Sequence, residues 1–377
     1  MKKNVLIYLV VLALGFTSCE NETDPVASYA DEDRVLTQIN LTNPTVSDLY
    51  TDYNMGLLFK YDHLKDFAYT AAAVTQANAF GAVEIPQISS LYTSSTTPTG
   101  YPTVQDYENA AASFLNDKVF KYFLKDTKIA SLMPYKVLVS ASIQERTLSG
   151  EGGTVVKESD GRLFDTRETS LRTIYNENAI VFSVDLVSTT TPTLIENFSK
   201  DNFYILLSRI MRMHNLYDQV PAAFFGERAQ YYGTAMFDSF IIYKGLAETA
   251  TVDMIDKDFV YSLGFVDAKY FYNGTTGLGN VRVNNNYDGS SIPFAERVTY
   301  PKAFKGSEDF LSDKETDVRS YLNELIYGTD FKSHTPYVVG TGYPDNIRAN
   351  MKILFDYLTG LGVDMISINP KLSDLNN

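Results

Sequence analysis

The chain has 377 residues, 45% of them hydrophobic, which is enough apolar material for a sizeable core in one to three domains. With 46 acidic against 32 basic residues the net charge is −14, a surface that repels phosphate backbones and excludes nucleic acid as a partner. The 27 Tyr and 23 Phe, with no Trp, suit recognition of sugars or peptides, although the same residues also serve ordinary strands and cores.

Lys2 and Lys3 precede an apolar run over 5–16 that is too short to span a bilayer, and Thr17 and Ser18 then lead to Cys19. This pattern predicts a signal peptide over 1–18. Cys19 is the only cysteine, so neither an intrachain disulfide nor a cysteine-based zinc site can form. Phe16-Thr17-Ser18-Cys19 resembles a bacterial lipoprotein signal in which Phe16 replaces the usual leucine, and the resemblance implies a lipid on Cys19. Residues 19–33 open with the acidic run Glu20 to Asp24 and predict a flexible tether. Acidic residues directly after such a cysteine are similar to the export signal of surface lipoproteins in Gram-negative bacteria with large nutrient importers. That similarity implies an outer-membrane, outward-facing protein held by its lipid rather than by a membrane-crossing helix.

Over 34–65 short apolar groups alternate with Thr, Asp and Asn, and 52–62 reads as an extended segment on a domain edge. Clustered Ser, Thr, Pro and Gly mark a loop at 91–102. Thr103 caps an expected helix over 104–115, followed by an amphipathic piece at 118–125. Runs rich in Val, Ile, Ser and Phe predict strands at 135–143, 153–158 and 179–187. The glycine-rich loop at 149–153 lacks the lysine of a phosphate-binding loop. Helices are expected over 240–247, 253–265 and 308–326, with a loop at 273–291. In that loop Asn284, Asn286 and Asp288 mimic the opening of a calcium loop, but Ala295 stands where the twelfth-position glutamate is needed. The last helix, 346–360, places Ile347, Met351, Leu354, Phe355, Leu358 and Leu361 on one face.

The stretch 199–225 organises the rest. Phe203, Leu206, Leu207, Ile210, Met213, His214 and Tyr217 recur at helical spacing, with Ser199 as N-cap and Asp218 and Pro221 closing the helix. His63, His214 and His334 are the only histidines, and their spacing matches no metal site. Glu308 and Asp309 fit the acidic first turn of a helix. No spacing singles out a nucleophile or a carboxylate pair, and nothing calls for a cofactor.

In order and spacing these pieces resemble the substrate-import-associated zinc metallohydrolase lipoproteins. The similarity is carried by 53–59, 107–123, 179–225, 263–266, 308–310 and 347–364. It implies an α+β, zincin-like metallopeptidase scaffold over 34–377, with a small mixed sheet, a long central helix, a mainly helical C-terminal half and an insertion at 231–300. The family's central helix carries H-E-x-x-H with a further histidine three residues on. Aligned on His214, the two ligand positions fall on Leu207 and Met211 and the glutamate position on Ser208. A register one residue later puts Ser208 and Arg212 at the ligand positions. Neither register supplies a zinc ligand pair or a general base. The implied protein is therefore a pseudo-metallopeptidase without metal or catalytic residues, in which Glu308 and Asp309 mark the residual ligand region. Its implied role is that of a binding or accessory component of an importer complex, with a glycan or peptide as ligand. Two other readings stay open: a hydrolase with an unrecognised site, and a glycan-binding lipoprotein unrelated to zincins.

Overall fold

The computed structural model describes residues 33–68, 83–145, 173–234, 261–266, 269–270, 281–282, 313–333 and 342–376. Cys19, His334, Glu308, Asp309 and the expected strand at 153–158 lie outside them. The chain divides into two compact units, 1–38 and 39–377. In the first, a short helix, Arg34–Gln38, starts where Asp33 Oδ1 accepts the backbone N–H groups of Val35 and Leu36.

The second unit is α+β. Helix α1, Pro44–Tyr53, begins on an Asn43 cap with proline in its first turn and ends at Asn54 in the left-handed region. Strand β1, Gly56–Leu58, follows at once. Helix α2, Val104–Lys118, carries a capping box in which Thr103 and Asp106 satisfy each other's backbone N–H. The piece expected after it is one 3₁₀ turn, Phe120–Tyr122. Strand β2 is Lys136–Ser140, β3 is Thr173–Tyr175 and β4 is Ile180–Ser183.

These four strands form a mixed sheet in the order β1-β2-β4-β3. β1, β2 and β4 run parallel, with Leu57 beside Val137 and Val139 beside Phe182, whereas β3 lies antiparallel on the edge, with Ile174 beside Val181. Parallel neighbours need a crossover, and α2 supplies the one between β1 and β2. Val137, Leu138, Val139, Ile180, Val181 and Phe182 are all fully buried, as expected of strands covered on both faces.

The central helix α3 is Pro192–Met213, longer at its start and shorter at its end than the periodicity of 199–225 implies. Thr191 is its N-cap and Pro192 its first residue, a stronger start signal than Ser199. Ser199 instead lies buried inside the helix, its hydroxyl bonded to the Lys118 carbonyl and Tyr122. At the other end Asn215 turns left-handed, with φ 53°, so His214 and Tyr217 do not share a helix with Phe203. Helix α3 packs on α2 through the rings of Phe114 and Phe198, 5.0 Å apart, and on the turn after α2 through Phe203 with Tyr122 and Phe123.

Two helices complete the core. α4, Lys314–Tyr327, is capped by Asp313 and packs on both α3 and α5, Asp345–Leu361. The six apolar positions expected on one face of α5 are all buried. Gly362 ends α5 with φ 100°, a conformation that favours glycine. The chain leaving it is stitched to the strand-bearing half by backbone bonds of 2.8 Å from Leu124 N to Gly362 O, Ile129 N to Leu361 O and Asp364 N to Tyr122 O.

Candidate functional site

The second half of α3 separates an apolar set of side chains from a polar one. Phe203, Leu206, Leu207, Ile210 and Met211 are fully buried in the hydrophobic core, while Asn202, Arg209 and Arg212 turn towards β3 and α4. The alignment on His214 therefore places its two ligand positions, Leu207 and Met211, in a dry interior. His214 itself is exposed beyond the helix end. Ser208 lies between these sets, 3% exposed, with its hydroxyl oxygen unpartnered. Of the residues singled out from sequence, Leu207, Ser208 and Met211 are thus neighbours on the helix without forming a common site. His63 stacks on Phe67 at 6.3 Å in the turn after β1.

The register one residue later leads to a polar junction of three elements. Arg212 donates through Nη1 to the Tyr175 hydroxyl on β3 at 3.0 Å and through Nε to Glu315 Oε1 on α4 at 3.0 Å. Arg209, one turn earlier, donates through Nη2 to the carbonyls of Asn176 and Glu177 in the turn between β3 and β4, at 3.3 and 3.5 Å. The Tyr217 hydroxyl reaches the Ser208 carbonyl at 3.4 Å. Arg209, only 6% exposed, has no carboxylate partner among the described residues, and burial pulls its pKa down to about 10. Burial also pulls Arg212 down, but Tyr175 and then Glu315 outweigh it and the net shift is upward. Burial pushes the Tyr217 phenol well above its ordinary range, so it stays a neutral donor.

Among the described residues the junction offers one carboxylate held by a guanidinium, two phenols and a serine. A guanidinium keeps its proton and offers no lone pair, so Arg212 neutralises Glu315 without acting as a metal ligand. Among the described residues no three His, Cys, Asp or Glu side chains converge on a point that would hold a metal ion. The sequence reading passed over Arg209, Tyr175 and Glu315. One signal for the first was available: Arg209 and Arg212, three residues apart inside an apolar helix, have to face partners on one side.

A second buried cluster ties the C-terminal half together. Arg228 Nε donates to Asp317 Oδ2 at 3.0 Å and Nη1 donates to the Gly264 carbonyl at 2.9 Å, while the Tyr232 hydroxyl reaches the same Asp317 oxygen at 2.7 Å. The guanidinium carbon lies 4.5 Å from the centre of the Phe224 ring and 5.0 Å from that of Tyr321. Burial pushes the Asp317 carboxyl up to about 6, against the downward pull of Arg228 and Tyr232. Every polar contact here is internal, which marks a structural staple.

No helix among the described residues is long and apolar enough to cross a membrane. No protein-family model, no curated protein and no solved structure matches this chain.

Proposed function

We propose that this chain is a zincin-like scaffold that has lost its metal site and serves as a non-catalytic accessory or binding component of an outer-membrane nutrient importer, anchored by a lipid on Cys19. The observation that carries the reading is the Arg212–Glu315 pair at the meeting of the central helix, the edge strand and α4. In a helix bearing H-E-x-x-H the second histidine presents a zinc ion to a ligand from another element. In the later register Arg212 occupies that histidine's place, and its positive charge faces a carboxylate on a separate helix. Ser208 and Arg209 then stand at the first histidine and the glutamate, so the metal-bound water and its base are both missing.

The reconstruction Ser208→His, Arg209→Glu, Arg212→His tests the scaffold. An imidazole and a zinc ion, each bond about 2 Å, span a gap similar to that bridged by the longer arginine. With Glu315 as third ligand the variant should gain zinc-dependent stability, about 2.7 kcal/mol at a hundredfold excess over its Kd. Thermal unfolding with zinc and with chelator reads this out. Because Arg209→Glu removes bonds to the β3–β4 turn, the double variant Ser208→His, Arg212→His serves as a milder form with the same two imidazoles. A folded double variant that ignores zinc would remove the support for a zincin ancestry.

The anchor has its own test. Cys19→Ala should move the protein from the outer-membrane fraction to the soluble fraction of fractionated cells. Retention in the membrane at the original level would place the anchor elsewhere.

A further inference from the structure

An unassigned cleft of about 330 Å³ lies away from the junction, at the carboxyl ends of the parallel strands. It opens between Ala141, just past β2, the turn at 185–188 that follows β4, and the loop at 96–98. Crevices at the carboxyl ends of strands in open sheets are where such folds hold small ligands. The volume falls at the lower end of small-ligand sites, about 300–1,000 Å³.

The lining has two kinds of surface. Leu91, Pro98 and Val187 form an apolar wall, and Val187 is 45% exposed although nothing polar calls it outward. Tyr107 contributes only its ring, since its hydroxyl is occupied, donating to the Val184 carbonyl at 3.1 Å and accepting from Leu186 N at 2.9 Å. The Asp185 carboxylate also lines the cleft, and its Oδ1 accepts the N–H groups of Val187 and Ser188 at 3.1 and 3.0 Å. That turn fixes the carboxylate and leaves Oδ2 without a partner among the described residues, as are the hydroxyls of Thr97 and Ser188 in the same lining. Among the described residues no lysine or arginine lines the cleft.

We propose that this cleft binds the end of a neutral saccharide. A sugar ring has an apolar C–H face, which fits the Leu91–Pro98–Val187 wall, and adjacent hydroxyls on its rim. Two such hydroxyls can donate to the Asp185 carboxylate, bonds strengthened by its charge, while Thr97 and Ser188 both donate and accept. An anionic ligand would meet an unpaired negative charge in a chain already at −14. The inference does not depend on whether the central helix once carried a metal.

The test uses the full chain in a detergent without sugar head groups, probed by saturation-transfer NMR and then titration. The probes are maltose, cellobiose and xylobiose as neutral ligands, glucuronic acid as an anion and glucosamine as an amine. At least one neutral disaccharide should bind and glucuronic acid should not. Asp185→Asn should weaken that binding about tenfold or more, as expected for a lost charged hydrogen bond, while asparagine preserves the turn. Val187→Asp should weaken it comparably through the wall, and Asp52→Asn, in a separate cleft, should leave it unchanged. The proposal is overturned if no neutral disaccharide binds, if glucosamine alone binds, or if Asp185→Asn leaves the affinity intact. None of these outcomes bears on the junction, which the zinc reconstruction tests separately.

Discussion

Asp317→Ala should cost about 3–5 kcal/mol, because it leaves the Arg228 guanidinium, 3% exposed, without its counter-charge. Against a net stability of about 5–15 kcal/mol for a typical domain, that loss should lower the urea midpoint steeply. The direction of the pH effect can be worked out as well. The folded carboxyl holds its proton up to about pH 6, higher than in the unfolded chain, so this group's contribution is complete at pH values below the ordinary carboxylate range. It is lost as pH climbs from about 4 to about 6, at about 1.4 kcal/mol per pH unit. Comparison with Asp317→Asn cancels the other carboxylates, so the stability difference between wild type and this variant should shrink across that window. A flat difference would place the Asp317 carboxyl in its ordinary range and remove the desolvation argument.

The second large effect separates the two registers of the central helix. Leu207→His with Met211→His puts two imidazoles into positions that are fully buried among aromatic and aliphatic side chains. Lost packing at such sites costs about 2–5 kcal/mol apiece, and each unbonded polar group adds about 1–3 kcal/mol. The pair should be largely unfolded with or without zinc, whereas Ser208→His with Arg212→His, on the polar side, should fold. Circular dichroism of the two double variants at equal concentration decides the matter. A cooperatively folded Leu207/Met211 variant would mean that this face opens onto space, and the assignment of a dry core would fail.

Legibility from sequence followed the range of the interactions. α2 and α5 were readable because their signals are local: the Thr103–Asp106 capping box in one, an apolar stripe ending at Gly362 in the other. The centre of α3 was readable for the same reason, but its ends were not, since the apolar period runs on through the turn at Asn215 and obscures the stop. β1 falls inside the extended segment expected at 52–62 and lies at an edge of the sheet, although that segment's first residues belong to α1; β3 left little trace. Each has three residues, all buried, so neither shows the alternation of a half-exposed strand, and the partners of β1 lie 80 positions further on, at Lys136–Leu138. The junction was the least legible part, because Glu315 is 103 residues from Arg212 and nothing local announces the pairing. Of the helix expected over 308–326, the described part begins at the Asp313 cap of α4, and Glu308 and Asp309 lie outside the described residues.

The stitching of residues 122–129 to 361–364 fixes when this protein can fold. Leu124, Ile129 and Tyr122 find their backbone partners only in the last turn of α5 and the residues after it. Until that segment has been made and packed, the strand-bearing half carries open backbone groups. The strand-bearing half therefore cannot close ahead of α5, and the two halves complete their folding together.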